Sequence, residues 1–129
     1  MSDVFFQKAV PVWKADKEKE LHSRCAFFTT FKKVENAELI ITGANIYKVY
    51  LNGIFLCMGP ARSAHEYFRV DRIPLRNLCK QNTLFIEAVA YNTKSYYQLD
   101  EPGFIQAEIC SNGRVVAWTG KDFFVRTFS

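Results

Sequence analysis

Short runs in which apolar and polar residues alternate fill most of this chain, and glycine, proline or asparagine interrupts them at close intervals. Successive side chains of a strand point to opposite faces, so a period of two marks strands rather than helices. The runs predict strands at Cys25–Phe31, Glu38–Thr42, Tyr47–Leu51, Ile54–Met58, Glu66–Val70, Thr83–Tyr91, Gly103–Cys110, Arg114–Trp118 and Phe123–Thr127. Two Asn-Gly pairs, Asn52-Gly53 and Asn112-Gly113, each sit between such runs. A type I′ turn needs positive φ at both central residues, which Asn and Gly tolerate, and its twist matches that of paired strands. The pattern therefore predicts an all-β, antiparallel domain, a sandwich or a barrel, rather than alternating strands and helices.

A two-residue turn at Asn52-Gly53 would set Leu51 opposite Ile54, Val49 opposite Leu56 and Tyr47 opposite Met58. These six would share one face, the expected core face. The other face carries Lys48, Tyr50, Phe55 and Cys57, mixed but still apolar, so a second layer or a neighbouring domain is expected to cover part of it. The run through Ala90 that begins at Thr83 reads as a central strand. A single helical turn is expected at Pro74–Cys79. Proline is preorganised for a first helical position, and Leu75 with Leu78 would face inward.

Composition narrows the function more than it names it. The 129 residues suffice for one domain burying on the order of two-thirds of its unfolded surface. A hydrophobic content of 49% with 16% aromatics excludes a disordered chain. The net charge of +4 is small and scattered, which argues against nucleic acid as a partner. The mixed charges of Lys14–Arg24 read as a solvated loop or short exposed helix. No apolar run approaches the roughly 18 residues of a membrane span. Met1-Ser2-Asp3-Val4 shows no secretory signal, so a cytoplasmic chain without a membrane partner is expected. Cys25, Cys57, Cys79 and Cys110 form no C-x-x-C pair, and only His22 and His65 could join them. They read as small buried hydrophobes in a reducing compartment, with neither metal nor other cofactor expected.

One stretch carries more specific information. Ala37, Leu39, Ile41, Ala44, Tyr47, Tyr50, Asn52 and Gly53, followed by Gly59, Pro60 and Arg62, resemble a pattern of bacterial α-L-rhamnosidases. In those glycoside hydrolases the pattern lies in an N-terminal β-sandwich, a jelly roll of the galactose-binding-domain-like kind. Trp13, Tyr67, Asn82 and the closing Thr119–Arg126 stretch resemble further positions of that domain in order. Gln81 stands where the pattern has glycine, and Phe123 or Phe124 where it has tryptophan. The resemblance implies one accessory domain over 1–129, a piece of a larger enzyme whose catalytic carboxylates lie in a separate α/α-barrel. Its partners would be that catalytic domain of the same polypeptide, and carbohydrate.

Candidate contact residues lie in two stretches. Arg62 and His65, with Ser63, follow Gly59-Pro60, where an arginine could clamp a sugar hydroxyl or pair with a carboxylate. Asn92, Tyr96 and Tyr97, with Gln98 and Asp100, combine aromatic rings for the apolar face of a pyranose with groups that bind its hydroxyls. The alternative for Arg62 is an ordinary surface residue or a domain-interface contact, and for Tyr96 and Tyr97 packing on the sandwich rim or against a partner domain. No nucleophile motif accompanies His22 or His65, and Glu87 and Glu108 alternate with apolar residues and are expected to face solvent. No catalytic residue is assigned. An independent carbohydrate-binding module and a protein-interaction module remain open; the latter predicts an apolar patch around Tyr50 and Phe55.

Overall fold

Both Asn-Gly pairs form the turns their chemistry favours. Asn52 and Gly53 have φ of 52° and 82°, Asn112 and Gly113 of 50° and 79°, so all four lie in the left-handed region of a type I′ turn. The computed structural model describes residues 6–12, 22–43, 46–59, 70–91 and 105–127. Among them are nine strands: β1 (His22–Lys32), β2 (Ala37–Gly43), β3 (Ile46–Leu51), β4 (Ile54–Gly59), β5 (Asp71–Pro74), β6 (Gln81–Tyr91), β7 (Ile105–Ser111), β8 (Arg114–Trp118) and β9 (Phe124–Thr127). They make two antiparallel sheets, a five-stranded one in the order β4-β3-β6-β1-β9 and a four-stranded one in the order β5-β2-β7-β8. Consecutive strands stay in one sheet only at the two Asn-Gly hairpins and change sheet elsewhere. The long apolar run at Thr83 is the centre of the larger sheet, as expected.

Alternation then builds the core. Cys25 and Phe27 of β1, Val49 of β3 and Leu84, Ile86 and Ala88 of β6 project from one sheet; Leu39, Ile41, Ile105, Ala107 and Ile109 project from the other. All are essentially without exposure and form one apolar cluster. Each large member stabilises the fold by roughly 1.5–3 kcal/mol relative to an exposed side chain. Among the described residues no helix is long and apolar enough to cross a membrane.

The register of the first hairpin departs from expectation. Leu51 faces Ile54 and Tyr50 faces Phe55, but Val49 then faces Cys57 and Tyr47 faces Gly59. Leu56 is therefore an extra residue, a β-bulge on the returning strand, and everything beyond it shifts by one. Val49 and Tyr47 do not oppose Leu56 and Met58, and Met58 and Ile54 are 63% and 69% exposed rather than in the core. The second hairpin bulges at the same distance from its turn, with Ser111 facing Arg114, Cys110 facing Val115 and Ile109 facing Ala117.

Two further expectations are corrected, at Pro74 and at Glu108. Pro74 ends β5 instead of opening a helix, because β5 is a sheet edge where a missing N–H is tolerated. Leu75 still packs inward and Leu78 partly so. Of the strand expected at Glu66–Val70, residues 66–69 lie outside the described residues; Val70 precedes β5, which spans Asp71–Pro74. Glu108 is completely buried rather than solvent-facing. Its side chain does point away from the core, but residues 7–9 lie across that face.

Candidate functional site

The five candidate contact residues, Arg62, His65, Asn92, Tyr96 and Tyr97, lie outside the described residues, as do Trp13, Ser63 and Tyr67. The strands that precede the two candidate stretches are described. Gly59 ends β4 beside Tyr47, and Tyr47 faces Ala88 near the end of β6, so both strands finish at the same end of the five-stranded sheet. That end is tightly built. Tyr47 is buried and its hydroxyl donates to Asp71 Oδ2 at 2.8 Å. A Cβ on Gly59 would stand 2.6 Å from that hydroxyl. Burial pushes the neighbouring Cys57 thiol above its ordinary range, and the Asp71 carboxylate adds to the shift.

The opposite end is held by amides. Asn82 is buried, and its Oδ1 accepts from Cys79 N at 2.7 Å and Asn52 Nδ2 at 3.0 Å. Its Nδ2 donates to Cys79 O and Phe31 O at 2.9 and 3.3 Å. Asn52 Oδ1 in turn accepts from Thr83 N at 2.8 Å. Asn82 thus ties the β3–β4 turn to β1 and to the segment before β6. Its presence is visible in the sequence as a resemblance position; its fourfold bonding is not.

Four carboxylates in the described regions, those of Glu108, Glu38, Asp71 and Asp122, are used structurally. Glu108 Oε1 accepts the backbone N–H groups of Gln7, Lys8 and Ala9 at 3.0–3.1 Å, and Oε2 shares that of Gln7. Cys110 Sγ donates to Oε2 at 3.7 Å. Burial and the Glu108 charge push the Cys110 thiol up to about 11. Glu38 pairs with Arg72 at 2.9 Å, and Asp122 accepts from Trp118 N. Trp118 is half-buried beneath the ammonium groups of Lys8 and Lys121, 4.6 and 4.8 Å from its ring centre. No cluster of three or more metal-ligating side chains occurs among the described residues. The four cysteines form no disulfide; Cys25 and Cys110 are buried as expected, whereas Cys79 is exposed.

Two depressions mark the described surface. One of about 550 Å³ lies beside the β1–β2 connection and carries Lys33, Asn36, Glu38, Arg76 and Asn77. It has mixed charge and no aromatic ring among its lining residues. The other, about 380 Å³, lies on the outer face of the five-stranded sheet between Tyr50 and Phe85, with Gly53, Thr83 and Glu87 around it. Tyr50 contacts Phe55 and Phe85 with ring centres 5.7 and 6.1 Å apart, both edge-on. Phe28 and Phe124 contact each other at 5.7 Å. The apolar patch expected around Tyr50 and Phe55 is therefore present, with Phe55 itself 52% exposed. Nothing in this arrangement pairs a nucleophile with a base; rings beside a carboxylate and a hydroxyl suit binding.

No protein-family model matches the sequence, and no curated protein matches it. Solved structures do. A GH78 family rhamnosidase of Bacillus sp. GL1 superposes with a TM-score of 0.80 at 24% identity, over 94% of this chain but 13% of that one. The fold is that of a segment of a GH78 rhamnosidase. An α-L-rhamnosidase from Dictyoglumus thermophilum aligns with a TM-score of 0.59 at 16% identity, over 81% of this chain and again 13% of its own. The Pleurotus ostreatus lectin, in its apo form, matches with a TM-score of 0.57 at 20% identity, over 99% of this chain and 34% of the lectin. The chain thus spans a small part of each rhamnosidase, and the likeness extends to the sandwich fold.

Proposed function

We propose that this chain is a non-catalytic accessory domain of a glycoside hydrolase of the α-L-rhamnosidase kind. It packs beside a catalytic domain of the same polypeptide and contacts carbohydrate. The observation that carries the reading is the asymmetry of the rhamnosidase match, which takes in 94% of this chain and 13% of the enzyme. The Tyr47, Tyr50, Asn52-Gly53 and Gly59-Pro60 pattern supports it from the sequence. So does the structural use of Glu108, Glu38, Asp71 and Asp122. Likeness to a lectin favours sugar contact, and Arg62, His65, Asn92, Tyr96 and Tyr97 are proposed for it.

The test is made on the natural polypeptide. Its hydrolysis of p-nitrophenyl α-L-rhamnoside is measured beside that of residues 1–129 alone. The longer polypeptide is expected to be active and the 129-residue chain inactive. A natural polypeptide with no glycosidase activity, or activity in the isolated chain, overturns the reading.

A further inference from the structure

Across the five-stranded sheet, one row of paired positions holds an aromatic residue on every strand. Phe55 of β4 faces Tyr50 of β3, Tyr50 faces Phe85 of β6, Phe85 faces Phe28 of β1, and Phe28 faces Phe124 of β9. Four strand intervals of ~4.8 Å make this line about 19 Å long. Its two ends are open, with Phe55 and Phe124 52% and 63% exposed. We propose that this face is a binding platform for an extended carbohydrate chain, with its central subsite in the depression between Tyr50 and Phe85.

The shape of the apolar surface selects the occupant. A docked protein domain needs a two-dimensional patch of about 800 Å² per partner, with charges depleted at its centre. Over β3 and β6, at the depression, the apolar line is one residue deep, and Met58, 63% exposed, widens it only at the β4 end. The next row on the same face reads Met58, Lys48, Glu87, Ala26 and Arg126, with three charges in its five positions. On the other side lie the paired hydroxyl residues Thr83 and Thr30. A narrow apolar line between two polar rows matches a sugar chain, whose ring faces carry C–H groups and whose edges carry hydroxyls. Tyr50 stands 70° and 66° from the planes of Phe55 and Phe85. The surface is therefore corrugated, and the trough of about 380 Å³ places Glu87 and Thr83 beside the rings. Aromatic faces with a few fixed polar anchors are the composition of a specific small-ligand site.

This rests on the accessory-domain reading and adds a sugar-binding surface apart from the Arg62 and Tyr97 stretches, yet it is tested on the 129-residue chain independently of any rhamnosidase activity. The chain is run in native gels containing rhamnogalacturonan, xyloglucan, galactomannan or hydroxyethylcellulose. Retardation is expected in at least one, and Tyr50→Ala and Phe85→Ala should weaken it roughly tenfold. Phe55→Ala and Phe124→Ala, at exposed rings, should weaken it by a smaller factor while leaving the circular dichroism unchanged, so the test holds even if the central variants unfold. No retardation in any gel overturns the proposal. So does retardation that survives all four variants and is lost instead in Arg62→Ala or Tyr97→Ala. A chain without sugar binding whose Phe55→Ala and Phe124→Ala variants loosen the longer polypeptide would make the stripe a domain interface, and also overturns it.

Discussion

Gly59 and Gly53 are both glycines for physical reasons, and the reasons differ. Gly53 has φ of 82° and open space for 4 Å around the point where a Cβ would stand, so its constraint is backbone conformation alone. At Gly59 the constraint is space: a Cβ would approach Tyr47 Oη and Cζ to 2.6 and 2.7 Å. Tyr47 cannot retreat, because it is buried and held by Asp71. Gly59→Ala is therefore expected to destabilise the fold by roughly 1–3 kcal/mol through overpacking. Pairing it with Tyr47→Phe, which removes the hydroxyl nearest the added methyl, should recover part of the loss. Urea denaturation of the two single variants and the double variant measures the coupling, and strict additivity would contradict the contact.

The two hairpins share turn residues, φ angles and bulge position, but differ in what their asparagines hold. Asn112 Oδ1 accepts an exposed bond from Asn36 Nδ2. Asn52 accepts from Thr83 N and donates to the buried Asn82. Asn52→Ala should thus cost about 1–2 kcal/mol more than Asn112→Ala, since it also leaves Asn82 short of a partner. Thermal melts of the two variants check the order; equal losses would mean that the Asn52–Asn82 link carries no energy. At this scale the turns are legible in the sequence because Asn-Gly acts locally. The bulges are not, because inserting Leu56 or Val116 depends on how the returning strand meets its partner and leaves no local mark. Pro74 looks like a helix start for a similar reason: its edge position in β5 is settled by pairing with β2 across 30 or more residues of chain. The aromatic line is hidden most completely, since Phe28, Tyr50, Phe55, Phe85 and Phe124 join only once four strand pairings are in place.

Across the whole molecule, the outer faces of the two sheets are finished in different ways. The five-stranded sheet presents its aromatic row, whereas the four-stranded sheet is covered by the chain's own residues 7–9, and Val12 pairs along β7. Val10 N donates to Thr119 O, Thr119 Oγ1 donates to Val10 O, and Val12 exchanges both backbone bonds with Ile105. The buried Glu108 carboxylate anchors this cover with three consecutive backbone N–H groups. Alternation alone marks Glu108 as solvent-facing, because the cover comes from a segment about 100 residues away in the chain. If anchor and cover are one device, their losses cannot add. Deleting residues 1–11 strips away the donors, and Glu108→Ala strips away the acceptor; each is expected to cost roughly 3 kcal/mol or more, from charge-assisted bonds lost and buried groups left without partners. In the shortened chain Glu108 meets water, so Glu108→Ala should then cost under about 1 kcal/mol. A double-mutant cycle by urea denaturation reads the difference directly, and a full-sized Glu108→Ala loss in the shortened chain would show that the carboxylate stabilises the sheet without the N-terminal segment.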